Sequence, residues 1–284
     1  MAERRVVANG IDFTVLEAGS GPLALCLHGF PDSPHSFRPL LADLAAAGLH
    51  AVAPFMRGYA PTSVAPGGEY GLGALAADAN ALHTALGGDE RAVLIGSDWG
   101  AEAAYVAGLT APARWRRLVT LAIPPLAMDD RLFDDPGQRE RFAYMSMLES
   151  PDASRLVAAD DFAFVDRLWR DWSPGFDARR DAEHAKRCLR PPGHLAAAIA
   201  YYRTPDPGPL RLTPPQPTLY LHGEDDGCID ARLIRDAEAQ LAPGSRLEVL
   251  PGVGHFLHAE DPASVNARVL EWVTAPQAGT CDLA

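Results

Sequence analysis

No apolar run in this 284-residue chain approaches the roughly 18 residues that cross a bilayer as a helix, and the start, MAERRVVANGIDF, lacks the apolar stretch of a secretory signal. The expectation is a soluble, cytoplasmic protein with no membrane partner. Positive charge is also scarce: 25 Lys and Arg against 37 Asp and Glu leave a net charge of -12. Nucleic acid and anionic membranes would be repelled at long range. Cysteine is sparse, and Cys26, Cys188, Cys228 and Cys281 have no metal-type spacing. Packed free thiols are therefore expected, not a disulfide framework. The nine histidines are equally scattered, so no metal or organic cofactor is implied.

Apolar residues, in contrast, make up 48% of the chain, enough for a large core. Short apolar runs (LALCLHG, HAVAP, RAVLIG, RRLVTLAI) alternate with longer Ala-rich or amphipathic stretches (FRPLLADLAAAGL, GALAADANALHTALGG, AEAAYVAGLT). That alternation predicts an α/β fold, a parallel sheet with helices on both faces. Ahead of it, ERRVVA and IDFTVLEAG flank Asn9-Gly10, a two-residue hairpin signal, so the sheet is expected to open antiparallel.

The alternation stops after Pro124-Pro125. From about 128 to 212 the chain turns aromatic, charged and helical, which predicts a helical cap inserted between core segments 1–127 and 213–284. Strand character resumes at TPPQPTLYLHG; a helix near Asp230 to Gln240, a strand at SRLEVL and a last helix from about Pro262 to Val273 are expected to follow. The tail APQAGTCDLA is expected to be loose.

The stretch LIGSDWGAEAAY has the form of a strand, sharp turn and helix that present a nucleophile. Such a turn needs small residues two before and two after the nucleophile. Centring on Ser97 puts Ile95 and Trp99 there; centring on Asp98 puts Gly96 and Gly100 there. Asp98 fits and Ser97 does not. A serine displacing a leaving group from saturated carbon would form an ether that water cannot readily cleave, whereas a carboxylate forms an ester that a second step hydrolyses. The alternative is that Asp98 merely caps the helix beginning at Trp99.

Other segments could complete a site. In HGFPDSPHSF, the Phe30 backbone N–H could join that of Trp99 as an oxyanion hole, and Phe30-Pro31 is a candidate cis bond. LYLHGEDDGCID offers Asp225 and Asp226 at a strand end, and PGVGHFLHAEDP places His255 in a Gly-flanked loop before the last helix. The order nucleophile, acid, base is that of α/β hydrolases. His28 and His258 are expected to have structural or supporting roles.

Together HGFP, FMRGYAPTS, GSDWG, HGEDD and GHF resemble the epoxide hydrolase family of the α/β-hydrolase fold. The resemblance implies a mostly parallel eight-stranded sheet and, with the acid three residues after a Gly, selects Asp226, with His255 as base. Phe55 and Ala60 depart from the Asp and Gly usual in relatives, which concerns loop structure. AAAIAYYRTP is similar to the family's cap segment and nominates Tyr202 as ring-opening acid, with Tyr201 beside it. Tyr144, seven residues before Pro151, matches the second cap tyrosine in part, since Glu149 replaces a Gln. Phe133, Phe142, Phe162, Phe164, Trp169 and Trp172 are candidates for the pocket lining. The implied activity is hydrolysis of a small apolar epoxide to a vicinal diol by a monomer or homodimer. A haloalkane dehalogenase with the same nucleophile is the second reading, although dehalogenase relatives usually carry a polar side chain at the position of Phe30. A non-catalytic binding protein on the same fold is the third.

Overall fold

A computed structural model describes residues 1–204 and 212–276. The chain starts as a hairpin. Asn9 and Gly10 have φ of 49° and 72°, the paired left-handed conformations of a two-residue turn, and Ala8 faces Ile11 as β1 (Ala2–Ala8) returns into β2 (Ile11–Ala18). β3 (Leu23–Leu27), α1 (Arg38–Ala46), β4 (His50–Pro54), α2 (Leu72–Ala85), β5 (Val93–Ser97), α3 (Trp99–Thr110) and β6 (Arg117–Leu121) then alternate as the sequence pattern requires. After a helical segment come β7 (Thr218–Gly223) and β8 (Arg246–Leu250).

The eight strands lie in the order β1-β2-β4-β3-β5-β6-β7-β8. Pairings of β2 are antiparallel, and every pairing from β4 to β8 is parallel. β3 and β5 are buried at every position, which is why both read as continuous apolar runs and not as alternation. α3 is rich in Ala and Gly because it packs closely on β5 and α2 together.

Between β6 and β7 the described residues form helices and no strand: α4 (Asp129–Asp134), α5 (Pro136–Arg141), α6 (Ala143–Glu149), α7 (Ala153–Trp172), α8 (Arg179–Leu189) and α9 (His194–Ala200), with a 3-10 turn at Tyr201–Arg203. α7 is interrupted by a left-handed turn, Asp160, Asp161 and Phe162 having φ of 50°, 53° and 62°. Such residues each cost roughly 1–2 kcal/mol. Arg190 bridges the turn, donating to Asp161 at 2.9 Å while its guanidinium lies 5.9 Å from the Phe162 ring.

The helix expected near Asp230 to Gln240 is instead two 3-10 turns, Ala231–Leu233 and Ala237–Gln240. Of the apolar residues there, Ile234 and Ala237 are buried, a three-residue spacing that a 3-10 turn aligns, and Asp230 caps the first turn by accepting the Arg232 N–H at 2.9 Å. An apolar face of two residues does not repay a full α-helix. α10 (Leu257–Glu260) and α11 (Pro262–Thr274) close the chain. α11 starts as its sequence suggests, with Asp261 accepting the Ser264 N–H and Pro262 at the first position.

Cys26, Cys188 and Cys228 are free and buried; Cys281 and most of the tail expected to be loose lie outside the described residues, as do 205–211. Among the described residues no helix is long and apolar enough to cross a membrane.

Candidate active site

The turn between β5 and α3 leaves no room for side chains other than the one it presents. A Cβ on Gly96 would lie 2.1 Å from the Gly100 carbonyl oxygen, and one on Gly100 would lie 2.1 Å from that of Leu27. Asp98 itself has φ 53° and ψ -128°, a conformation that non-glycine residues seldom adopt and that recurs at functional sites. It occupies the position before α3, yet its side chain makes no cap hydrogen bond. Asp98 Oδ1 instead accepts the Phe30 backbone N–H at 2.7 Å. The approach is close because residue 29 is glycine; a Cβ there would meet Oδ1 at 2.1 Å. The capping reading of Asp98 is thereby replaced by a carboxylate held from the next strand. Ser97 is buried at the end of β5.

His255 and Asp226 reach the same carboxylate from the ends of β8 and β7. His255 Nδ1 lies 3.0 Å from Asp226 Oδ2, and Nε2 lies 3.5 Å from Asp98 Oδ2 without a hydrogen bond. Asp226 Oδ1 accepts the N–H groups of Cys228 at 2.7 Å and Ile229 at 2.9 Å, while His222 Nε2 stands 3.7 Å from Oδ2. Asp225 is exposed and points the choice between the two acids to Asp226. Phe30, Asp98, Asp226 and His255 all follow carboxyl ends of parallel strands, where open α/β sheets bind ligands.

Burial alone would depress the His255 pKa. The charge and hydrogen bond of Asp226, with Asp98 on the other side, outweigh burial and raise it to about 10. Burial likewise opposes ionisation of Asp226, but His255, His222 and the Ile229 amide hold its pKa below the ordinary value.

The segment between β6 and β7 closes the other side of a cavity of about 350 Å³ that is lined by Asp98 and Trp99 below and by Tyr144, Tyr202, Phe133 and Phe142 above. The Tyr202 hydroxyl is buried and has no hydrogen-bond partner among the described residues. Its ring packs edge-on against Phe30, Trp99 and Tyr144, with centroids 5.4, 5.1 and 5.9 Å away. Burial, then the Asp98 charge, pushes this phenol well above its usual pKa. Tyr144 is half-buried, its hydroxyl 3.9 Å from Cys228 Sγ. Tyr201 is committed elsewhere, donating to the Arg57 carbonyl at 2.8 Å. Of the candidate aromatics, Phe133 and Phe142 line the cavity, whereas Phe162, Phe164, Trp169 and Trp172 do not. Trp169 donates to the Pro31 carbonyl and stacks on Phe256, and Trp172 packs against His255 and Tyr144.

Several supporting groups escaped the sequence reading. The Trp172 carbonyl, at the end of α7, accepts both the Gly227 and the His255 N–H at 3.0 Å and so ties the Asp226 loop to the His255 loop. The available signal was Gly227 and Gly254: a Cβ on either would strike backbone of Asp171 or Trp172 within 2.5 Å. A buried pair, Arg57 with both oxygens of Asp78 at 2.6 Å, braces the loop that receives the Tyr201 hydroxyl. His28 and His258 hold neighbouring loops, through the Met56 N–H and the Ser36 hydroxyl. The Phe30-Pro31 bond is cis.

This geometry agrees with what the chain is similar to. A family model described as alpha/beta hydrolase fold matches residues 22–262. Epoxide hydrolase 3 of Mus musculus is 30% identical over 260 residues, covering 87% of this chain and 69% of that protein. Epoxide hydrolase A of Mycobacterium tuberculosis is 29% identical, covering 96% of this chain and 97% of the other. Among solved structures, Epoxide Hydrolase A from Mycobacterium thermoresistibile superimposes with a TM-score of 0.79 at 26% identity over 95% of this chain and 97% of that one. The chain belongs to the epoxide hydrolase family of the α/β-hydrolase fold.

Proposed function

We propose that the protein hydrolyses a small epoxide to a vicinal diol through an ester on Asp98. The observation that carries this reading is the pairing of a carboxylate on the strained turn with a buried, unpartnered phenol across the cavity. Oδ1 is engaged by the Phe30 N–H, so Oδ2 attacks a ring carbon and the carbon–oxygen ring bond breaks. Tyr202 gives its proton to the ring oxygen, with Tyr144 on the same wall as a second donor. Opening an epoxide requires such an acid; departure of a halide does not, which ranks dehalogenation second.

Esterification removes one of the two anions that hold the proton on His255, so the imidazole gives that proton up to the Tyr202 phenolate left by ring opening and serves as base. It takes a proton from water, whose oxygen adds to the Asp98 carbonyl carbon. The oxyanion forms on Oδ1, where the Phe30 N–H already donates and the Trp99 N–H is the second donor. Collapse expels the diol oxygen, which takes the proton from His255, and the second proton of the water, left on the Asp98 carboxyl group, returns to His255. Atoms and charges return to the start. The helices α4 to α9 act as the cap that, with the turn at Tyr201–Arg203, supplies the acid and excludes bulk water.

Blocking the second step tests the scheme. His255→Ala incubated with styrene oxide should gain the mass of one epoxide on the peptide that carries Asp98, seen by intact and peptide mass spectrometry. An unmodified variant that still releases diol would reject the covalent route.

A further inference from the structure

Glu102 lies in the first turn of α3, four residues after Asp98, and lines the same cavity. Glu102 is half-buried, and no hydrogen bond to its carboxyl group is found among the described residues. The first turn of α3 thus brings a second carboxyl group to the cavity that Asp98 lines. The catalytic scheme does not use that group.

We propose that Glu102 is a specificity residue that binds a hydroxyl group on the substrate chain, so that the preferred substrates are hydroxyl-bearing epoxides and not wholly apolar ones. This rests on the epoxide hydrolase reading and narrows it. A carboxyl group hydrogen-bonds a hydroxyl in either protonation state, accepting as the anion and donating as the acid. Burial first, then the charges of Asp129 and Asp98, push Glu102 well above the ordinary carboxylate range, which favours the acid form. Leu72, Leu132 and Phe133 supply apolar contact for the carbon chain that joins the two groups, while Asp129, Glu149 and Thr204 also line the cavity. The unpartnered Tyr202 hydroxyl marks the end of the cavity where the ring oxygen lies, and Glu102 marks a second polar point for the same ligand.

The experiment compares terminal epoxyalkanes that end in a hydroxyl with the same chains ending in a methyl, over a series of chain lengths. Two measurements are made: kcat/KM for diol formation by the unmodified protein, and Kd by calorimetry on Asp98→Asn, which binds without turnover. The hydroxylated member of the best pair should be favoured about tenfold in both, the size of one hydrogen bond. Glu102→Leu should reduce that ratio to about twofold or less, and Glu102→Gln, which keeps donor and acceptor atoms, should retain most of it. Equal values for the two substrate series, or a preference unchanged in Glu102→Leu, would overturn the assignment. Should no diol form from either series, the catalytic reading fails, while the Kd ratio on Asp98→Asn still decides the role of Glu102.

Discussion

The two walls of the cavity are built on different principles. On the core side, backbone contact fixes everything: Gly29, Gly96 and Gly100 admit no Cβ, and the carboxylates of Asp98 and Asp226 accept backbone N–H groups. On the side formed by the segment between β6 and β7, rings meet edge-on, Tyr202 has no hydrogen bond, and Tyr144 has a long contact to a thiol. The core wall holds its carboxylates by backbone contact, and the other wall leaves the Tyr202 hydroxyl without a partner among the described residues. Stability and chemistry should therefore separate between the two walls.

The largest expected effect breaks the core wall. Gly96→Ala forces a Cβ to 2.1 Å from a carbonyl oxygen that has nowhere to move, and should lower unfolding free energy by about 3 kcal/mol or more, read from urea melts, with loss of activity. A melt that matches the unmodified protein would mean that the turn is not tight.

Tyr202→Phe tests the opposite wall. It removes a hydroxyl that is buried without a partner, so the melt should be unchanged or slightly more stable, while kcat for epoxide opening should fall about 100-fold, the low end for loss of a general acid. A fall of the same size in stability, with kcat intact, would assign Tyr202 to packing.

The smallest effect is a pH dependence that sharpens the description of the core wall. The folded protein holds a proton on His255 up to about pH 10, above the ordinary value near 6.5, so that contribution is complete below about pH 6.5 and is lost as pH rises toward 10. The unmodified protein should lose stability over this window relative to His255→Ala, by no more than about 1.4 kcal/mol per pH unit, the limit for one proton. Parallel curves would place the proton elsewhere.

The core wall was the legible one. Sharp turns impose spacing rules on neighbouring residues, so Gly96, Asp98 and Gly100 could be read as a unit, and the strand-ending loops put Phe30, Asp226 and His255 in chain order. The opposite wall was legible at Tyr202, Tyr144, Phe133 and Phe142. Long apolar side chains such as Phe162, Trp169 and Trp172 carry no local mark of which way they face, and the expected helix at Asp230 to Gln240 failed because helix propensity does not report how much apolar face the neighbours will bury.

By itself the sequence determined the alternation of strands and helices, the hairpin at Asn9-Gly10 and which aspartate can stand on the turn, because hydrophobic period and glycine spacing act within a few residues. Tertiary structure alone decided that Trp172, some 55 residues before Gly227, joins the acid and base loops through one carbonyl, that Tyr201 is spent on Arg57 while Tyr202 is free for the cavity, and that Glu102 shares that cavity with Asp98. Those outcomes depend on which surfaces meet across the chain, and no short-range pattern encodes the partner of a carbonyl or a hydroxyl.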